Sequence, residues 1–128
     1  MSKKILVVDD DDPIRRMLVR LLGLASPDLE IVDVEDGKAA LEHLHESEFD
    51  LILLDQMMPD MSGLEVLKTL RSSGKNQTST VIMLTARTDQ DHVMTSLESG
   101  ADYFLAKPFE PQQLLERVAD CLGLSADF

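Results

Sequence analysis

Two short stretches, Ile5-Leu6-Val7-Val8 and Leu51-Ile52-Leu53-Leu54, are apolar at every position, and each runs directly into an aspartate, Asp9 or Asp55. A strand with one wet face alternates polar and apolar residues. An unbroken apolar run of strand length is buried on both faces instead. Strands of that kind belong to parallel sheets covered by helices, so the chain is restricted to the α/β class. The full set of strand candidates is residues 4–8, 31–34, 51–54, 81–84 and 103–105.

Helical patterns fill the gaps. Ile14, Met17, Leu18, Leu21 and Leu22 form one apolar stripe at i, i+3, i+4, i+7, i+8 spacing. Pro13 suits the first turn of that helix and Gly23 is expected to stop it. A short second helix covers 37–45. A third covers 62–72, with Leu64, Leu67 and Leu70 in register and Gly74 beyond its end. The fourth, 89–99, has a thin stripe of Val93, Met94 and Leu97, and the fifth, 111–122, a fuller one that includes Leu114, Val118 and Leu122. Five βα units predict a flavodoxin-like (βα)5 three-layer sandwich. Its parallel five-stranded sheet takes the order 2-1-3-4-5, which sets the first and third strands side by side. A closed barrel would need eight strands.

The whole length of 128 residues fits one domain, expected over 1–124 with 125–128 as a tail. A formal charge of -12 argues against a nucleic-acid footprint or an anionic membrane as partner. No apolar stretch is long enough to span a bilayer, and the single cysteine, Cys121, cannot close an internal disulfide. A cytoplasmic setting is the expectation.

In an open parallel sheet, ligands bind beyond the carboxyl ends of the strands. The first strand delivers Asp9 and Asp10 there, within the run Asp9–Asp12, and the third delivers Asp55. The fourth delivers Thr85 and Ala86, and the fifth Lys107 and Pro108. Carboxylates crowded at one rim repel each other, and a hard divalent cation with oxygen ligands resolves the conflict. Acids, a hydroxyl and an ammonium together suit phosphoryl transfer. Simpler roles suit other residues. Asp11 or Asp12 reads as a helix cap. His43 and His45 are two apart on a helix and make a poor metal pair. Met57, Met58 and Met61 read as packing and loop residues, and Cys121 as a small packing residue.

Four segments carry a more specific likeness: Ile5-Leu6-Val7-Val8-Asp9-Asp10, then Leu54-Asp55-Gln56-Met57-Met58-Pro59-Asp60-Met61-Ser62-Gly63, then Leu84-Thr85-Ala86, then Lys107-Pro108-Phe109. In that order and spacing the chain resembles a response-regulator receiver domain of bacterial two-component signalling, of the chemotaxis-regulator kind. Receivers are a standard instance of the 2-1-3-4-5 order, so the order and the resemblance are not independent. The resemblance implies that Asp55 is the phosphoacceptor. Asp9, Asp10 and Asp55 would hold Mg²⁺ with the backbone carbonyl of Met57. Thr85 and Lys107 would contact the phosphoryl group, and Thr85 and Phe104 would act as switch residues. It also implies a cis Lys107–Pro108 bond.

The implied partners are a sensor histidine kinase or phosphotransfer protein and a downstream effector domain or protein. The fourth helix, fifth strand and fifth helix would form the output surface and a dimer contact. Such a chain is a phosphoacceptor switch, catalysing only its own phosphorylation and dephosphorylation. Met57 and Arg87, each two residues past a site residue, are expected to set the lifetime of the phosphorylated state. The rival reading is a Mg²⁺-dependent aspartyl-phosphate phosphohydrolase. Such enzymes usually carry an acid two residues after the nucleophile, where this chain has Met57. A flavin carrier would need a phosphate-binding loop where Asp9–Asp12 stands.

Overall fold

A computed structural model describes residues 3–86 and 90–123. The elements run β1 (Lys4–Val8), α1 (Asp12–Ala25), β2 (Glu30–Val34), α2 (Gly37–Glu46), β3 (Leu51–Asp55), α3 (Gly63–Ser72), β4 (Thr80–Thr85), α4 (Gln90–Glu98), β5 (Tyr103–Ala106) and α5 (Pro111–Leu122). All neighbouring strands pair in parallel, in the order β2-β1-β3-β4-β5.

The period of two along each strand divides the sheet between two cores. Ile5, Val7, Leu51, Leu53, Ile82 and Leu84 pack with Leu18 and Leu22 of α1 and Leu114 and Val118 of α5. Leu6, Val8, Ile52, Leu54 and Met83 pack on the other face with Ala40 and Leu44 of α2 and Val66, Leu67 and Leu70 of α3. These strand residues are wholly buried. Each such aliphatic side chain contributes about 1.5–3 kcal/mol relative to exposure. That burial holds the strand ends, and hence the residues that follow them, in fixed register.

Boundaries differ from the sequence reading in instructive places. Gly23 does not stop α1, which continues to Ala25. Ser26 ends it, extended at φ −154°, and its N–H still donates to the Leu22 carbonyl at 3.2 Å. Pro27 follows, and a residue before proline avoids the helical region. β3, β4 and β5 extend one residue further than their apolar cores, so Asp55, Thr85 and Ala106 are still in the sheet. Asp11 caps α1, accepting from Ile14 N–H at 3.2 Å, and Ser62 caps α3. α4 begins at Gln90. Its expected first residue, Asp89, lies outside the described residues, as do Arg87 and the tail 125–128. Among the described residues, no helix is long and apolar enough to cross a membrane.

Candidate metal and phosphoryl site

Register brings the acids together. Val8 of β1 pairs with Leu54 of β3, so Asp9, just past β1, and Asp55, the last residue of β3, stand side by side at the carboxyl edge of the sheet. Ligand oxygens of Asp9, Asp10 and Asp55 all lie within 4.8 Å of one another. Asp9 is wholly buried and Asp55 is 4% exposed, whereas Asp10 faces solvent. Hard carboxylate oxygens converging on a point reachable from water fit a small hard divalent cation, which needs few protein ligands and keeps part of its hydration.

Lys107 closes the cluster. It follows β5, and its N–H donates to the Thr85 carbonyl at 2.8 Å. Its Nζ lies 2.9 Å from Asp9 Oδ2 and 3.2 Å from Asp55 Oδ1. The Lys107–Pro108 bond is cis, as the resemblance implied. Burial and then the charge of Asp9 push the Asp55 carboxyl up to about 7, against the opposing pull of Lys107. Burial pulls the Lys107 ammonium down, but the hydrogen bond from Lys107 to Asp9 and the charges of Asp55 and Asp9 leave it raised. The cluster is therefore short of positive charge even with its lysine in place.

Thr85 is fully buried at the end of β4, next to the cluster through its pairing with Ala106. Phe104 is partly buried on β5 and packs against the α2/α3 core. Met57 follows Asp55 by two residues and is 60% exposed. Met58 and Met61 pack on the core, as does Cys121 on the opposite face.

The sequence reading missed the braces behind the acids. Gln56 is buried. Its carbonyl accepts from Gly63 N–H at 2.9 Å, and its Oε1 from Leu64 N–H at 3.0 Å. Gly63 sits against the Asp55 backbone so closely that a Cβ there would overlap the Asp55 carbonyl oxygen. Arg15 was missed too, although it donates to the Asp9 carbonyl at 2.9 Å. Its place one turn into a helix that starts beside an acidic run was the available signal.

The family profile described as the response regulator receiver domain matches residues 5–119. The chain belongs to the response-regulator receiver family. It is 40% identical over 118 residues to the phosphate regulon transcriptional regulatory protein PhoB of Klebsiella pneumoniae, covering 92% of this chain and 51% of that protein. It is 42% identical over 127 residues to the DNA-binding response regulator MtrA of Mycolicibacterium smegmatis, covering 99% and 54%. The chain thus spans about half the length of the curated relatives it matches. Among solved structures, a CheY-like receiver domain protein from Methanospirillum hungatei superposes with a TM-score of 0.88 at 29% identity, covering 96% of this chain and 95% of that one. The response regulator DrrB of Thermotoga maritima gives 0.85 at 33%, covering 96% and 54%. A phosphoacceptor switch is thus favoured over the phosphohydrolase reading.

Proposed function

We propose that Asp55 accepts a phosphoryl group from a phosphohistidine on a sensor histidine kinase or phosphotransfer protein. A carboxylate oxygen of Asp55 attacks phosphorus, the P–N bond breaks, and the imidazole departs with its electron pair. Hydrolysis of the acyl phosphate returns the carboxylate and inorganic phosphate, so the chain acts catalytically only on itself. Asp9, Asp10 and Asp55, with the Met57 carbonyl, would hold Mg²⁺, which when bound neutralises developing charge on the phosphoryl oxygens. Lys107 supplies a second cation for those oxygens, and the Thr85 hydroxyl donates to one of them. The observation that carries this reading is the reach of Lys107 Nζ to both Asp9 and Asp55 across three strand ends.

The output is a change of surface at α4, β5 and α5, read in the cytoplasm by an effector domain or protein or by a second copy of the chain. α4 is suited to move. Met94 and Leu97 are exposed on it, and the buried Ser96 hydroxyl has no hydrogen-bond partner among the described residues. Burying a hydroxyl unpaired costs about 1–3 kcal/mol, which weakens the seat of that helix.

A Mg²⁺ titration followed by amide chemical shifts tests the site. Wild type should saturate with shifts centred on Asp9, Asp10 and Asp55, and Asp10→Ala should bind about tenfold more weakly or worse. Equal affinity in the two proteins contradicts the assignment.

A further inference from the structure

Arg15 stands on the first turn of α1, and no step of the phosphoryl chemistry uses it. Its side chain is nonetheless only 12% exposed, and its guanidinium makes contacts in three directions. One terminal nitrogen donates to the main-chain carbonyl of Asp9 at 2.9 Å. Nε donates to Asp33 Oδ2 on β2 at 3.1 Å, and the other terminal nitrogen to Asp12 Oδ1 at 2.6 Å. One planar fork thus ties the end of β1 to the neighbouring strand and to the start of α1.

The Asp9 carbonyl belongs to the peptide that joins Asp9 to Asp10. Its orientation sets the direction in which Asp10 leaves the chain. Every other polar group of Asp9 is also engaged. Its N–H donates to the Val34 carbonyl at 3.2 Å. Oδ1 accepts from Asp11 N–H at 2.9 Å, and Oδ2 from Lys107 at 2.9 Å. Arg15 therefore holds the peptide group that links the exposed acid to the buried one.

We propose that Arg15 is a positioning residue for cation binding: it locks the Asp9–Asp10 peptide so that both carboxylates face Asp55. This rests on the reading that the acidic cluster holds Mg²⁺. Two physical effects of Arg15 have opposite signs. As a nearby cation it repels Mg²⁺, so removing its charge alone would tighten binding. As the lock on the peptide it preorganises the ligands, so removing it weakens binding.

The test is Mg²⁺ affinity of the intact chain, measured by calorimetry or amide shifts on samples whose spectra show a folded protein. Arg15→Gln, which keeps the stem and loses the charge, should bind Mg²⁺ about tenfold more weakly than wild type. Arg15→Lys keeps the charge, but one ammonium cannot span the three acceptors, so it too should bind more weakly than wild type. If Arg15→Gln does not fold, Arg15→Lys decides: weaker binding supports the lock, and wild-type binding overturns it. Unchanged or tighter binding by Arg15→Gln also overturns it. The control is Asp10→Ala. If that variant binds like wild type, the cluster is not the Mg²⁺ site, and the underlying reading falls together with this inference.

Discussion

Asp55 is held from behind as well as from the side. Lys107 meets its carboxylate, while α3 presses Gly63 onto its backbone. The three atoms nearest to a Gly63 Cβ are main chain, including Asp55 C and Gln56 Cα at 3.0 Å, so turning a side chain away cannot relieve the overlap. Gly63→Ala should therefore lower stability by about 2–3 kcal/mol and shift the Asp55 amide. Urea unfolding and a two-dimensional amide spectrum check this; an unchanged midpoint with an unmoved Asp55 resonance contradicts it. This close approach was invisible in the sequence, because a glycine after a capping serine reads as the ordinary start of a helix. The placement of Asp9, Asp10, Asp55, Thr85 and Lys107 at one end of the sheet was legible because each lies at or just past the end of an apolar run of strand length. For Arg15 the sequence offered only the i,i+3 pairing with Asp12, since its other partners, Asp33 on β2 and the Asp9 carbonyl, are brought to it by the fold.

At the scale of elements, helix ends decide what the apolar pattern leaves open. α2 begins with two side chains serving its unpaired N–H groups. Asp36 accepts from Ala39 N–H at 2.8 Å. Asp60, from the loop after β3, accepts from Gly37 N–H at 3.0 Å and Lys38 N–H at 2.9 Å. The Gly37 and Lys38 hydrogen bonds hold the Asp60 carboxyl below its ordinary range. A carboxyl lowered in the folded state stabilises the fold above the unfolded-state pKa and loses that contribution as pH falls through the folded value. Asp60→Asn should accordingly melt below wild type at about pH 7, with the gap closing as pH drops below about 4. Thermal melts across that range check it, and a gap independent of pH contradicts the role. Gly23 shows the opposite lesson. Outside its own stretch of helix, no described residue lies within 4 Å of where its Cβ would be, so glycine there marks neither a turn nor a close contact, and α1 ends at Ser26, just before Pro27.

At the scale of the whole molecule, two cores on opposite faces of one sheet seat the helices unequally. α2 and α3 are packed into one core through Leu44, Val66, Leu67 and Leu70, whereas α4 shows Met94 and Leu97 to solvent. The fold was legible almost entirely in the sequence, because continuous apolar strands and short connections leave few topologies. The thin apolar stripe of Val93, Met94 and Leu97 was legible too, and it motivates the expectation that α4 is the helix that responds. A phosphoryl ligand shifts an equilibrium only by its differential affinity for the two arrangements. Beryllofluoride with Mg²⁺ should therefore perturb amides of residues 85–109 more than those of α2, and Thr85→Ala should bind it while transmitting less. Changes as large in α2 as in α4 and β5 contradict this route.

The central claim is that Asp55 is the phosphoacceptor of a Mg²⁺-dependent switch. Its most direct test is intact-mass detection of phosphoryl transfer from a small phosphodonor such as acetyl phosphate, with Mg²⁺ and with chelator. Wild type should gain one phosphoryl group only when Mg²⁺ is present. Asp55→Asn, which keeps the shape and removes the nucleophilic oxygen, should gain none while remaining folded. Phosphorylation of Asp55→Asn at the wild-type yield, or of wild type equally well in chelator, would contradict the claim.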